Sequence, residues 1–176
     1  MSEKRINLHI FALLAATLFV LICTPVMADE TDPTPESTRL VVNELLQEFY
    51  AASTFADIET IDRLVSNSPQ ATFLGTAPGE LFQGHDEIVE WWQGIFDFLE
   101  SFGYPNNGGL PLVSTGEPVQ VERRGSVIWV VDEPMFQFQN GDAPTRLTLV
   151  LKIEQGEWKI AQGHFSIGIA DNTLPL

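Results

Sequence analysis

The apolar residues of this chain keep a helical period up to about residue 102 and a strand period from about residue 112, and this single switch constrains the fold most. Val42, Leu45, Leu46 and Phe49 fall at i, i+3, i+4 and i+7, with Asn43, Glu44, Gln47 and Glu48 opposite, which predicts an amphipathic first helix ending near Thr54. Thr34 can cap it, with Pro35 at the first helical position, where a missing N–H costs nothing. Asp57 caps a shorter second helix with Ile58, Ile61, Leu64 and Val65 on one face, stopped by Asn67-Ser68-Pro69. Gly84-His85-Asp86 opens a third, whose stripe is Ile88, Trp91, Trp92, Ile95, Leu99 and Phe102. Between the second and third helices, Ala71 to Gly75 and Glu80 to Gln83 read as short strands joined at Pro78-Gly79.

Tyr104 to Pro111, with Asn106-Asn107-Gly108-Gly109, has no apolar period and reads as a mobile loop. Beyond it, strand patterns run roughly Leu112 to Arg123, Ser126 to Gln139, Thr145 to Ile153 and Trp158 to Ile169. Arg124-Gly125, Asn140-Gly141-Asp142 and Gln155-Gly156 separate them as turns. Helices followed by an antiparallel meander is an α+β plan.

The N-terminus belongs outside this plan. Lys4 and Arg5 precede an apolar run from Ile10 to Ile22, and Val26-Met27-Ala28 follows Pro25; this is the layout of a signal peptide cleaved after Ala28. The run is short of the roughly 20 apolar residues that span a bilayer. The expected organisation is therefore a signal peptide over 1–28, a flexible leader over 29–36, one domain over 37–170 and a tail over 171–176. A periplasmic or secreted protein is expected, with no membrane attachment after cleavage. Cleavage would also remove Cys23, the only cysteine, leaving neither a disulfide nor a thiol nucleophile.

Charge excludes further partners. The chain carries a net charge of −15, and the loss of Glu3, Lys4 and Arg5 takes this to −16. Such a surface repels phosphate backbones, so no nucleic-acid partner is expected. His85 and His164 are the only histidines after residue 28 and no closely spaced ligand pair joins them, so neither a metal nor another cofactor is expected.

Phe73-Leu74-Gly75-Thr76-Ala77-Pro78-Gly79-Glu80, Phe82-Gln83-Gly84-His85-Asp86-Glu87-Ile88, Arg146-Leu147-Thr148, Gly156-Glu157-Trp158-Lys159-Ile160 and His164-Phe165-Ser166, in this order and spacing from about Ser37 to Ile169, resemble the SnoaL-like domain of the nuclear-transport-factor-2-like superfamily. The resemblance implies three N-terminal helices packed in a strongly curved, mainly antiparallel sheet, a cone-shaped, cystatin-like α+β roll with an internal pocket. It further implies a small-molecule ligand, and frequent dimerisation through the sheet, for which Val150 and Ile167 offer apolar positions opposite their apolar neighbours. In that superfamily, isomerases and cyclases move a proton beside a carbonyl without a cofactor, while other members catalyse nothing.

On the last strand, Trp158, Ile160, Gln162, His164 and Ser166 alternate onto one face. If that face looks into the cone, His164 is the best acid–base candidate, with Asp132 as its orienting partner and Tyr50 as a third candidate. Trp91, Trp92, Trp129, Phe136, Trp158, Gln162 and Ser166 are the expected pocket residues. A Ser-His-Asp hydrolase is disfavoured, because Ser166 lies two residues from His164 and no Gly-x-Ser-x-Gly elbow occurs. Two readings follow: an exported protein that binds a small apolar or aromatic molecule, with or without proton transfer, and a non-catalytic dimeric association module.

Overall fold

The computed structural model describes residues 34–138 and 141–168. The proposed signal peptide, most of the leader and the C-terminal tail lie outside the described residues.

Helix α1 (Pro35–Phe55) begins as its sequence predicts. Thr34 Oγ1 accepts from the Ser37 amide at 3.2 Å, and Ala56 closes the helix in the left-handed region at φ 53°, so the helix already includes the last residues of the expected leader. It buries Val42, Leu45, Leu46, Phe49 and Tyr50. Helix α2 (Ile58–Leu64) is capped by Asp57, whose side chain accepts from the Thr60 amide. Strands β1 (Thr72–Leu74) and β2 (Leu81–Gln83) form the expected hairpin, and α3 (His85–Ser101) follows. The stripe of α3 is narrower than predicted: Ile88, Trp92, Phe96 and Leu99 are buried, whereas Phe102 lies at the C-cap and is 67% exposed.

The segment expected to be a mobile loop is instead packed. Asn106 and Asn107 both take φ 56°, the left-handed conformation that asparagine tolerates best among non-glycine residues. This tight turn presses Gly108 and Gly109 onto the helices. A Cβ on Gly108 would stand 1.9 Å from the Phe96 carbonyl oxygen, and one on Gly109 2.0 Å from that of Thr54. The Leu110 amide donates to the Ser53 carbonyl at 2.9 Å, while Ser53 Oγ donates to the Leu110 carbonyl at 2.8 Å. Small residues without apolar period here mean close approach rather than freedom.

The remaining strands are β3 (Leu112–Val113), β4 (Gln120–Arg124), β5 (Val127–Asp132), β6 (Met135–Phe138), β7 (Gly141–Glu154) and β8 (Glu157–Ile167). The two longer predicted strands before β7 are each broken, at 114–119 and at 133–134. Strand order is β2-β1-β8-β7-β5-β4, with β6 pairing β3 and the first part of β7. All pairs between these strands are antiparallel except β1 with β8, which run parallel. The result is an open, curved, mixed sheet. Its inner face, with Leu147, Leu149, Leu151, Ile128, Val130 and Phe165, closes on α1 and α3 to form the core.

One irregularity in β8 decides which side chains reach the interior. Leu151 pairs with Ile160, but Val150 pairs with Gln162, leaving Ala161 as an extra residue. Such a bulge reverses the alternation downstream of it. Ile160 therefore points inward opposite Leu151, and beyond the bulge Gly163 and Phe165 point inward opposite Leu149 and Leu147.

Candidate functional site

A cavity of about 450 Å³ lies between α3, the β1–β2 hairpin and the inner face of β6 and β8, within the range of small-molecule sites. Six aromatic side chains contribute to its wall: Trp91, Trp92 and Phe98 from α3, Phe136 and Phe138 from β6, and Phe165 from β8. These rings are fixed by one another. Trp91 stacks on Phe82 with centroids 4.7 Å apart, and Phe165 packs on Phe136 at 5.6 Å. Trp92 stands nearly perpendicular to Phe49, at 5.6 Å and 89°. Its Nε1 is buried with no hydrogen-bond partner among the described residues, in surroundings made of rings rather than carbonyls.

Two glycines shape the cavity. Gly94 lies within α3, where glycine costs about 1 kcal/mol relative to alanine, yet a Cβ there would meet nothing within 4 Å. Neighbouring packing does not demand it; its effect is to leave the wall open. Gly75 does the opposite, since a Cβ there would collide with Glu80 Oε2 at 2.2 Å. The absent side chain lets Glu80 fold across the hairpin, where Oε2 accepts from the Ala77 amide at 2.7 Å. Glu80 is the only ionisable residue of the wall among the described residues.

Of the expected pocket residues, Trp91, Trp92 and Phe136 come together in this wall. Gly75, Glu80, Gly94, Phe98, Phe138 and Phe165, which sequence reasoning did not name as pocket residues, join them. An isolated glycine in a helical pattern was the available signal for Gly94.

The remaining predicted positions lie elsewhere, and the Ala161 bulge is the reason for those on β8 beyond it. Gln162, His164 and Ser166 face outward opposite Val150, Thr148 and Arg146, and His164 is exposed. The expectation that His164 looks into the interior is thereby corrected. Trp158, before the bulge, is half-buried with the Arg123 guanidinium 5.0 Å above its ring and does not line the cavity. Trp129 alternates outward on β5 and is 41% exposed. The bulge also moves Ile167, expected on the outer face, to the inner side opposite Thr145, where it lines the cavity.

Asp132 and Tyr50 do meet, but not around His164. Tyr50 Oη donates to Asp132 Oδ2 at 2.5 Å across 82 residues of sequence, and Asp132 Oδ1 accepts from the Glu133 amide at 2.9 Å. Both residues are buried and neither lines the cavity. Burial first, and then the Asp132 carboxylate, push the Tyr50 hydroxyl far above its ordinary range, so it remains a proton donor to Asp132. His85, at the start of α3, shares its ring nitrogens between the Asp62 carbonyl at 3.1 Å and the Asp86 carboxylate at 3.2 Å. Partial burial pulls its pKa down, but these bonds and the charges of Asp62 and Asp86 outweigh that and raise it. Among the described residues no group of three or more His, Cys, Asp or Glu is placed to hold a metal ion, and no helix is long and apolar enough to cross a membrane.

The SnoaL-like domain profile matches residues 42–170. An F-box protein, SKIP8, from Arabidopsis thaliana is 23% identical over 136 residues, covering 77% of this chain and 53% of that protein; the chain thus spans about half the length of the curated relative it matches. Among solved structures, a nuclear transport factor 2-like superfamily protein from Salmonella enterica superposes with a TM-score of 0.61 at 16% identity, over 80% of this chain and 97% of the other. An NTF2-like protein of unknown function from Pseudomonas putida gives 0.59 at 14% identity, over 80% and 94%. A cystatin-like fold from Nostoc punctiforme gives 0.60 at 12% identity, over 81% and 96%.

Proposed function

We propose, from the premise that this chain belongs to the SnoaL-like domain family of the nuclear-transport-factor-2-like superfamily, that it is an exported protein binding one small apolar or aromatic molecule in its aromatic cavity. The observation that carries this reading is Gly94: α3 forgoes a side chain at a point where one would fit, and an open, ring-lined space of about 450 Å³ results. Among the described residues the wall has no paired acid and base, since Glu80 is its only ionisable member there. The reading is therefore binding without proton transfer. Export rests on the layout of residues 1–28, and intact mass of the mature protein, with Asp29 as the expected first residue, tests it.

Titration with naphthylmethanol, followed through quenching of the tryptophans, tests the binding. Saturable quenching in the native protein, weakened at least about tenfold in Gly94→Phe, is the expected outcome; a flat titration with this probe and with its amine and carboxylate counterparts would overturn the proposal.

A second reading, association through the sheet, is favoured by one observation. Trp129 stands 41% exposed on the outer face, on the same side as Val127, Val131 and Val150. A symmetric dimer that covers this face is its form.

A further inference from the structure

We infer that the cavity selects ligands carrying a protonated amine on an apolar or aromatic body. This deepens the binding reading above and rests on it.

The argument starts from what the wall lacks. Among the described residues no lysine, arginine or histidine contributes to it, and Glu80 is its one charged group. Glu80 spends Oε2 on the Ala77 amide, and Oε1 has no hydrogen-bond partner among the described residues. The half-buried carboxylate therefore keeps one oxygen without a described partner, on a residue that lines the cavity. A cation inside would meet the faces of rings, and aromatic faces attract cations. An anionic ligand would meet those same faces and the carboxylate, both unfavourable to it.

The surroundings point the same way. Helix α3 carries Asp86, Glu87, Glu90, Asp97 and Glu100 and no lysine or arginine. Glu90 and Asp97 lie four residues before and three after Gly94, and such positions neighbour one another on a helix surface. Both are exposed, so the glycine at the wall is flanked by negative charge. With a net charge of −15 over the chain, the field favours the approach of cations and opposes that of anions. Coulombic steering explains rate and discrimination, while the rings supply contact area.

Isothermal titration with three probes of matched shape tests this: naphthylmethylamine, naphthylmethanol and naphthoate, each in dilute and in concentrated salt. The amine is expected to bind roughly tenfold tighter than the alcohol, a preference in keeping with a partly desolvated cation on aromatic faces. Naphthoate is expected to bind most weakly. Glu80→Gln keeps a carbonyl oxygen for the Ala77 amide and should lower the amine-to-alcohol ratio to about threefold or less. Concentrated salt should narrow that ratio in the unaltered protein without any substitution. Equal binding of amine and alcohol, or a ratio that neither Glu80→Gln nor salt reduces, would overturn the inference while leaving the cavity as a binding site. Failure of all three probes to bind would overturn both.

Discussion

Tyr50 and Asp132 form a pair that tolerates little change in either partner. The carboxylate is 2% exposed, and a buried acceptor deprived of its donor loses about 1–3 kcal/mol. Tyr50→Phe should therefore destabilise the fold by that amount, read from urea unfolding, even though the ring is kept. Alkali should probe the same bond. Burial and the Asp132 charge raise the Tyr50 pKa from an ordinary 10.0, so below pH 10 both folded and unfolded chains hold the proton and the contribution to stability is complete. Above pH 10 the unfolded chain releases it and the folded one does not, so stability is lost as pH rises. Tyrosinate absorbance should consequently appear for Tyr50 only together with unfolding. At Gly94 the expected sign is opposite: Gly94→Ala should raise stability by about 1 kcal/mol, because a Cβ there meets no neighbour within 4 Å.

At the scale of elements, the parallel pairing of β1 with β8 depends on Gly163. A Cβ there would stand 2.3 Å from Phe73 Cζ, and both residues sit opposite each other in the pairing. Gly163→Ala should cost about 1–3 kcal/mol through overpacking, with Phe73→Leu recovering part of the loss in the double variant. The joint between α2 and α3 has a pH signature. The His85 pKa is raised above its ordinary 6.5, so its contribution is complete below pH 6.5 and fades as pH rises through the higher folded value. His85→Gln should flatten the fall in melting temperature across that interval. The helices were legible in the sequence because apolar periodicity and caps coincide at Thr34 and Asp57. The bulge at Ala161 was not, because an inserted residue changes the register while leaving composition and local propensity untouched. From that one residue follow the misplacement of His164, Gln162, Ser166 and Ile167. The cavity was half legible: tryptophans announce themselves, whereas a site made by withholding a side chain at Gly94 leaves only a gap in a pattern.

For the whole molecule, the outer sheet face and the inner cavity are separable. If the sheet face associates as proposed, Trp129→Glu should leave naphthylmethanol binding within about twofold while leaving only monomer in light scattering, since a charge introduced into a covered interface is costly to desolvate. Loss of binding in this variant would mean that the two faces are coupled. A further consequence lies in the order of the strands. β8, the last of the described strands in chain order, lies between β1 and β7, and its parallel contact with β1 joins residues 72–74 to 162–164. A nascent chain emerging from its N-terminus therefore carries a sheet split in two until residues 157–167 have been made, and closing a loop of that span is slow. For a chain proposed to leave the cell interior through a narrow channel, this delay keeps the polypeptide threadable until the segment that locks it arrives.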